Sequence, residues 1–199
     1  MIIRAGEWGI HMRGRHYWFA ALIATCAVSV ASASWSTAGR DSDALSIHVW
    51  KTRHEMALLE GNRIVRTFHV ALGTDPKAGK LLRGDHRTPE GQYYICEKRP
   101  QSRFHRFLGI SYPNVDDAER AFAAHLISAD EWAAIFLSTL RQATPPWHTV
   151  MGGDVGIHGY GGREPVSFDW TEGCIAVSDA DIEYLYDRVS IGTRVVISD

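Results

Sequence analysis

Short apolar segments, separated by glycine, proline and charged residues, restrict this chain to a fold built mainly from β-strands. From residue 44 onward apolar and polar residues alternate, and Glu60-Gly61-Asn62-Arg63 supplies a turn between two such segments. Further short apolar runs predict strands at residues 92–96, 107–112, 155–158, 174–177 and 193–198. The stretch from Gly73 to Gly91 is rich in glycine, proline and charge, and it predicts a long loop of the kind that often carries function.

Two regions have helical signals instead. Residues 116–142 have helical content, with a capping-box start at Ser128 and Glu131, and Ser178 caps a predicted last helix over 179–188. Apolar residues at helical spacing are usually core residues. We therefore expect the following side chains to pack inside the protein: Trp132, Phe136, Leu140, Ile182 and Leu185.

The length of 199 residues and a hydrophobic content of 45% fit one globular domain with its own core. No internal repeat or low-complexity tract divides residues 44–199. The predicted fold class is therefore α+β, mostly β with helical insertions, in a single domain over 44–199. A formal net charge of −2, without a run of Lys or Arg, excludes a dedicated nucleic-acid binder, which needs a concentrated basic surface.

The N-terminal region has the pattern of a secretory signal peptide. Arg13 and Arg15 precede an uncharged apolar stretch over 17–30, and Ala31-Ser32-Ala33 follows as an A-x-A exit. We predict a signal peptide over 1–33, with an uncleaved anchor as the alternative, and a short linker over 34–43. Because a membrane helix needs about 20 apolar residues, we expect no stable membrane span after cleavage. The predicted location is the periplasm or cell envelope.

Metal and cofactor chemistry is not indicated. Three cysteines cannot build a four-cysteine zinc site, and Cys26 lies within the predicted signal peptide. The ten histidines include neither a His-x-x-x-His nor a His-Glu-x-x-His arrangement. We expect no metal and no organic cofactor, so any cysteine chemistry depends on Cys96 or Cys174.

Cys174 has the surroundings of a reactive thiol. A glycine precedes it and a capped helix begins shortly after it. The glycine allows close approach of a substrate backbone, amide N–H groups of the turn can stabilise an oxyanion, and helix dipoles can lower a thiol pKa from about 8.5. The alternative is a buried structural cysteine, which is a common fate for a lone Cys.

His158 supplies the base that a thiol nucleophile needs. It ends a short apolar strand that enters a glycine-rich loop, sixteen residues before Cys174. That separation allows the chain to loop out and return beside the first strand, which would place imidazole near sulfur.

These segments resemble the signature of the YkuD-type L,D-transpeptidases, in which His-Gly is followed by Ser/Thr-x-Gly-Cys. The resemblance extends over roughly residues 44–199. Its other motifs, in chain order, are Gly84-Asp85-His86-Arg87-Thr88-Pro89-Glu90-Gly91-Gln92-Tyr93, Gly109-Ile110-Ser111-Tyr112-Pro113-Asn114 and Gly192-Thr193-Arg194-Val195-Val196-Ile197. Several separated motifs in the right order are strong motif evidence. The resemblance implies a YkuD-like β-sandwich catalytic domain.

The resemblance also implies roles for individual residues. Cys174 would be the nucleophile, His158 its base, and Gly159 and Gly173 would shape the pocket. The implied substrates are peptidoglycan stem peptides, with release of terminal D-Ala and transfer of the thioester on Cys174 to an acceptor amine. Backbone N–H groups around Cys174 would bind the oxyanion.

The chain departs from the family's pattern on both sides of the nucleophile. Many members have His before Gly-Cys and a polar or basic residue two positions after the Cys, where this chain has Glu172 and Ala176. Thr171 keeps the hydroxyl position, so we expect the nucleophile machinery to be retained while substrate contacts differ.

Other residues are candidates for substrate binding. Arginines flank His105 and can hold carboxylates, so His105, Arg103 and Arg163 are candidate substrate-binding residues, with a surface-loop role as the alternative. Tyr160 either lines the pocket or forms an aromatic wall.

Two further readings remain open. Water could resolve the thioester, which would give an L,D-carboxypeptidase or an amidase that releases a wall-attached protein. A non-catalytic wall-binding module would leave Cys174 inert or bridged to Cys96, although we expect Cys96 to be a small buried strand residue. Reaction products and thiol labelling separate these possibilities.

Overall fold

The structure, a computed structural model, describes residues 44–75, 78–163 and 166–199. The predicted signal peptide and linker lie outside the described residues. The strands are β1 (Leu45–Trp50), β2 (Glu55–Glu60), β3 (Arg63–His69), β4 (Gly91–Ser102), β5 (His105–Ile110), β6 (Gly156–His158), β7 (Ile175–Ala176) and β8 (Arg194–Ser198). The helices are α1 (Val115–Ala123), α2 (Ala129–Leu140) and α3 (Asp179–Arg188). The prediction of a mostly β fold with helical insertions is confirmed.

The strands form one curled sheet in the order β3-β2-β1-β8-β4-β5-β6-β7. The β1–β8 and β6–β7 pairs are parallel, and the other neighbours are antiparallel. The chain after β3 reaches the other end of the sheet, where Ala71 and Ala176 exchange two backbone hydrogen bonds of 2.9 and 2.8 Å. The two ends of the sheet therefore meet at the segment that carries Cys174.

The main core combines buried side chains of the sheet with those of helix α3. Ile47 and Val49 of β1 face the same way as Met56 and Leu58 of β2, and all four are at most 1% exposed, as the alternating pattern predicts. Helix α3 covers the core with Ile182 and Leu185, both fully buried. Each fully buried side chain of this size contributes about 1.5–3 kcal/mol. The predicted Ser178 cap is present and accepts the amide of Asp181.

The predicted helical region 116–142 is two helices. Asn114 caps α1 and Ser128 caps α2, each with a complete capping box. Ile135 is the buried residue of α2, and it packs in a small second core with Ala118 and Ala121.

The expectation that the apolar stripe of α2 is core was wrong at two positions. Phe136 is 36% exposed and Leu140 is 66% exposed, whereas Trp132 is half-buried and stacks on Phe136. The reason is that α2 packs on α1, a helix of nine residues that covers only part of the apolar face of α2. None of the helices in the described residues is long and apolar enough to cross a membrane.

Candidate active site

Strands β6 and β7 bring the two predicted site segments side by side. They pair in parallel, with Ile157 opposite Ile175 and His158 opposite Ala176. Cys174 directly precedes β7, and its half-buried side chain packs against the main core cluster, which includes Ile157 and Ile175. The parallel pairing brings the His158 segment next to the Cys174 segment, with Cys174 two residues before the residue opposite His158.

The turn before Cys174 is held by Thr171. The Thr171 hydroxyl donates to the Cys174 carbonyl at 2.7 Å and accepts the Gly173 amide at 3.1 Å. Thr171 is only 4% exposed. Its hydroxyl is therefore used inside the turn that positions the nucleophile, and this agrees with the expectation that the nucleophile machinery is retained.

Gly173 is required by both conformation and space. Its φ of +124° lies in a region that favours glycine, and an added Cβ would lie 2.5 Å from the carbonyl oxygen of Arg87. That carbonyl belongs to the loop over 73–91, which packs beneath the Cys174 turn. Gly173 thus allows the Cys174 turn and the 73–91 loop to approach each other closely, and this contact shapes the site.

One backbone donor is free beside the sulfur. Within the part of the chain that the structure describes, the amide of Cys174 makes no hydrogen bond, whereas the Gly173 amide is occupied by Thr171. The Cys174 N–H is therefore available to an oxyanion, which narrows the predicted oxyanion donors to this group.

The sulfur of Cys174 is held as a neutral thiol. It lies 3.8 Å from the Asp154 carbonyl oxygen, to which it donates. Burial raises the pKa of Cys174 to about 11, and the Asp154 carboxylate adds to the rise; the Gly156 amide and the cations of Lys80 and Arg99 oppose it. The expected lowering of this pKa by helix dipoles was wrong, because burial outweighs the nearby positive groups.

His158 is oriented to accept a proton. It is 2% exposed, and its Nδ1 lies 2.7 Å from the Gly159 carbonyl oxygen. Because a carbonyl oxygen only accepts, Nδ1 is protonated and Nε2 keeps its lone pair. Burial lowers the pKa of His158 below its usual 6.5, although the Gly159 carbonyl and the Asp179 carboxylate oppose the shift. The imidazole is therefore neutral at physiological pH.

Aromatic rings enclose His158. Phe104 stacks on the imidazole with ring centroids 4.5 Å apart, and Trp170 meets it edge-on at 5.8 Å. These contacts fix the ring plane and keep water from it. Neither aromatic residue was identified from the sequence, because both lie in turns without a motif.

Asp179 organises the loop that follows His158. Its carboxylate accepts the amides of Tyr160, Gly161 and Gly162 at 2.6, 3.0 and 2.6 Å. Partial burial acts against ionisation, but these amides hold the pKa of Asp179 below its usual value. An added Cβ on Gly159 would lie 2.3 Å from the same carboxylate. Gly159 therefore allows the loop to pack closely against α3. The role of Asp179 was not predicted, because the sequence marks Ser178 as a helix cap but does not show which loop Asp179 contacts.

Asp179→Ala is expected to lower the free energy of unfolding by about 2 kcal/mol, since hydrogen bonds to a charged acceptor are lost from three amides. Activity should fall as well, because the Gly159 carbonyl that orients His158 belongs to the same loop. Thermal unfolding measures the first effect. Asp187→Ala, at an exposed position of the same helix, is the control and should change stability little. Equal melting temperatures for the two variants would contradict this role.

An open cleft of about 230 Å³ lies beside Cys174. Its lining residues are Lys80, Arg83, Gly84, Gly152, Gly153, Asp154, Val155, Glu172 and Cys174. Lys80 is buried and donates to Asp85 at 2.7 Å, and Asp85 also accepts the amides of Leu81 and Leu82. Burial opposes ionisation of Asp85, but these hydrogen bonds lower its pKa. The long loop predicted from its glycines and prolines thus forms one wall of the cleft.

Four other predicted substrate residues lie elsewhere. Tyr160 is 4% exposed and packs in a cluster with Ala176, so it forms an aromatic wall. His105 pairs with Glu183 of α3. The guanidinium groups of Arg103 and Arg163 lie over the Phe104 ring at 5.3 and 5.9 Å. None of the four lines the Cys174 cleft.

The two departures from the family's pattern have different surroundings. Ala176 is fully buried against Ala71 and Tyr160, so this position makes a core contact. Glu172 is exposed at the mouth of the cleft.

Both described cysteines are free thiols. Cys96 is buried on β4, as expected, and burial raises its pKa to about 11. The structure thus contains no Cys96–Cys174 disulfide. Among the described residues no group of three or more His, Cys, Asp or Glu side chains is arranged to hold a metal ion.

Alkylation of Cys174 by iodoacetamide is expected to be slow at neutral pH and to accelerate as pH rises towards about 11. A shift from 9.0 to about 11 lowers the thiolate fraction about a hundredfold. Mass spectrometry of the alkylated peptides measures the rate. Cys96 is the internal control, because burial should keep it slower at every pH. A fast plateau below pH 8 (about half a unit under the usual thiol pKa) would contradict the raised pKa.

Comparison with known proteins identifies the family. The family model of the YkuD L,D-transpeptidase catalytic domain matches residues 45–197. The chain belongs to the YkuD L,D-transpeptidase family. The match covers the curled sheet up to the last residue but one of β8 and includes both Cys174 and His158, so the family predicted by the separated motifs is confirmed.

Two solved structures with TM-scores above 0.5 show the same fold, and a third is a weaker match. A mutant form of the helical cell shape determining protein Pgp2 from Campylobacter jejuni is 20% identical, with a TM-score of 0.55 over 80% of this chain and 48% of that one. Bd1075 from Bdellovibrio bacteriovorus is 19% identical, with a TM-score of 0.51 over 78% and 48%. An L,D-transpeptidase from Xylanimonas cellulosilytica is 17% identical, with a TM-score of 0.48 over 80% and 62%.

The chain therefore spans about half the length of the first two structures and less than two thirds of the third. A search of curated proteins found no match.

Proposed function

We propose that the chain is an exported cysteine L,D-transpeptidase that acts on peptidoglycan stem peptides in the periplasm or cell envelope. Membership of the L,D-transpeptidase family supports the reaction class and the wall substrate. The observation that supports the assignment of residues is the β6–β7 pairing, which sets the His158 segment beside the Cys174 segment, together with the imidazole tautomer fixed by the Gly159 carbonyl and the open cleft at Cys174. Cys174 is the proposed nucleophile and His158 its base.

The acylation step uses a neutral thiol and a neutral imidazole. As the Cys174 sulfur attacks the carbonyl before the terminal D-Ala, its proton passes to Nε2 of His158. The developing oxyanion is stabilised by the free Cys174 N–H, a contribution typically worth about 3 kcal/mol of barrier. His158 then protonates the leaving nitrogen, the C–N bond breaks, and D-Ala departs. A thioester on Cys174 remains, and the imidazole is neutral again.

The transfer step reverses the same proton path. An acceptor amine attacks the thioester carbonyl and loses its proton to Nε2, the C–S bond breaks, and the sulfur recovers a proton from His158. Because the resting thiol is neutral, base catalysis by His158 is needed in both directions. The high pKa of Cys174 is thus compatible with catalysis, and slow alkylation at neutral pH is not a sign of an inert thiol.

The products of a purified donor distinguish the possible reactions. The protein is incubated with disaccharide-tetrapeptide muropeptides, and mass spectrometry identifies what forms. Cross-linked dimers or exchanged terminal residues are the expected result, and Cys174→Ala should form neither while remaining folded. Tripeptide alone would contradict transfer and indicate an L,D-carboxypeptidase. Release of a wall-attached protein, offered as a second substrate, would indicate an amidase. The absence of turnover with both substrates would indicate a binding module.

Export is tested at the predicted cleavage site. We propose that the leader is removed after Ala33, because the A-x-A exit ends there. N-terminal sequencing of the protein recovered from the envelope of an expressing bacterium should begin at Ser34. A chain that keeps residues 1–33 would contradict cleavage and support the uncleaved anchor.

A further inference from the structure

Some charged side chains on the walls of the Cys174 cleft form ion pairs and others do not. Four charged side chains line the cleft, two of each sign. Lys80 is neutralised by Asp85 at 2.7 Å, and Asp154 is neutralised by the Arg99 guanidinium. Each of these two residues has a counter-charge on a neighbouring side chain, so they add little net charge to the cleft.

The other two charges, those of Arg83 and Glu172, have no opposite partner among the residues that the structure describes. Arg83 is exposed and donates to the Trp147 carbonyl at 2.6 Å, which uses one of its five N–H groups and leaves its charge intact. Glu172 is exposed two residues before the nucleophile. The cleft thus presents one unneutralised cation and one unneutralised anion beside the reactive sulfur.

The reaction proposed above decides which ligand such a pair fits. The acceptor amine must occupy the place that the leaving amine vacates, because both bond to the same carbonyl carbon. The leaving group, once free, is an α-amino acid with an ammonium and a carboxylate on adjacent atoms. A cation and an anion around that place complement such a zwitterion, whereas an isolated amine or water engages only part of the pair.

We propose that Arg83 and Glu172 form a subsite for the zwitterionic α-amino acid end of the acceptor, with Arg83 on its carboxylate and Glu172 on its ammonium. The inference rests on the proposed function and assigns the two residues of this chain that select its acceptor. An ammonium acceptor loses two protons in the transfer: one reaches the Cys174 sulfur through His158, and the other goes to solvent. The C–N bond forms as the C–S bond breaks. Glu172, which replaces the family's histidine, is the residue that favours a cationic acceptor over water.

The test compares acceptors that differ by one charge. With the muropeptide donor, the ratio of transfer to hydrolysis is measured for D-alanine, for D-alaninamide, which lacks the carboxylate, and for Nα-acetyl-lysinamide, a side-chain amine. The wild-type protein should use D-alanine at least about tenfold better than either. Arg83→Gln should remove the preference for D-alanine over its amide. Glu172→Gln should lower the ratio of transfer to hydrolysis for every amine acceptor.

Matched controls make the same chemical changes outside the cleft. Arg141→Gln, just after α2, and Glu119→Gln, on α1, replace exposed residues and should keep the wild-type ratios. Equal use of D-alanine and D-alaninamide by the wild-type protein would overturn the subsite, and so would equal shifts in the control and cleft variants. Dimer formation between two stem peptides, measured in parallel, shows whether the zwitterion comes from a stem or from a free amino acid.

A second measurement does not depend on turnover. D-alanine at millimolar concentration should slow the alkylation of Cys174 in the wild-type protein and in the two controls, but not in Arg83→Gln or Glu172→Gln. Protection by D-alanine without any transfer would support the subsite and contradict the proposed transpeptidation. Transfer without protection, and without any effect of the two cleft variants, would support the proposed function and overturn the subsite.

Discussion

His158→Gln is expected to lower the kcat/KM for D-Ala release by about 10²–10⁴-fold, the usual contribution of a general base. Glutamine is uncharged, close in size and able to donate to the Gly159 carbonyl, so the fold should persist while the proton acceptor is lost. The effect should be large because the pKa of Cys174 is raised to about 11, which leaves almost no thiolate without a base. The measurement is D-Ala release at saturating and limiting donor, with thermal unfolding to verify folding.

His105→Gln is the matched control, since His105 is an exposed histidine paired with Glu183 outside the cleft. Its kcat/KM should stay near that of the wild-type protein. The pH profile adds a second check. The wild-type kcat/KM should fall on acidification only below pH 6.5, because burial lowers the pKa of His158 and a protonated imidazole cannot accept the thiol proton. If the fall in kcat/KM on acidification persisted in His158→Gln, the base would be another residue.

Gly173→Ala is expected to reduce both stability and activity. The φ of +124° and a Cβ only 2.5 Å from the Arg87 carbonyl oxygen force either the Cys174 turn or the loop beneath it to move. Strain and displacement of this kind cost about 2–4 kcal/mol. Since the free Cys174 N–H and the sulfur both belong to this turn, acyl transfer should fall more than the loss of folded protein explains. Chemical denaturation and the rate per folded molecule separate the two effects.

Gly162→Ala provides a matched comparison. Gly162 also has a positive φ, +79°, but no atom lies within 4 Å of its added Cβ. Gly162→Ala should therefore lower the free energy of unfolding by only about 1 kcal/mol, the conformational cost of a positive φ, and should keep its activity. If Gly173→Ala behaved like Gly162→Ala, the contact between the Cys174 turn and the Arg87 loop would not be what positions the nucleophile.

The strands and their one-sided burial were predictable because alternation is a local property of the sequence. Ile47 and Val49 of β1 show this, as do the caps at Ser128 and Ser178. The burial of α2 was not predictable. An apolar stripe shows that a helix has an apolar face, but it does not show how much of that face a neighbouring helix covers, and α1 leaves Leu140 exposed.

The candidate dyad could also be found from the sequence, since Cys174 and His158 each lie beside glycines in separated motifs. The residues that position them could not. Asp179 acts through three loop amides, and Phe104 acts by stacking on the imidazole; both contacts depend on how distant segments meet. The thiol pKa was misjudged for a related reason, because the degree of burial of Cys174 is set by the whole cleft wall.

The central claim is that Cys174 carries the acyl group during turnover. Intact-protein mass spectrometry after rapid acid quenching, with a tetrapeptide donor and no added acceptor, tests it most directly. The account predicts a mass increase equal to the donor minus D-Ala, located on the peptide that contains Cys174 and absent from Cys174→Ala. Turnover without any adduct on this peptide, or an adduct that persists in Cys174→Ala, would contradict it.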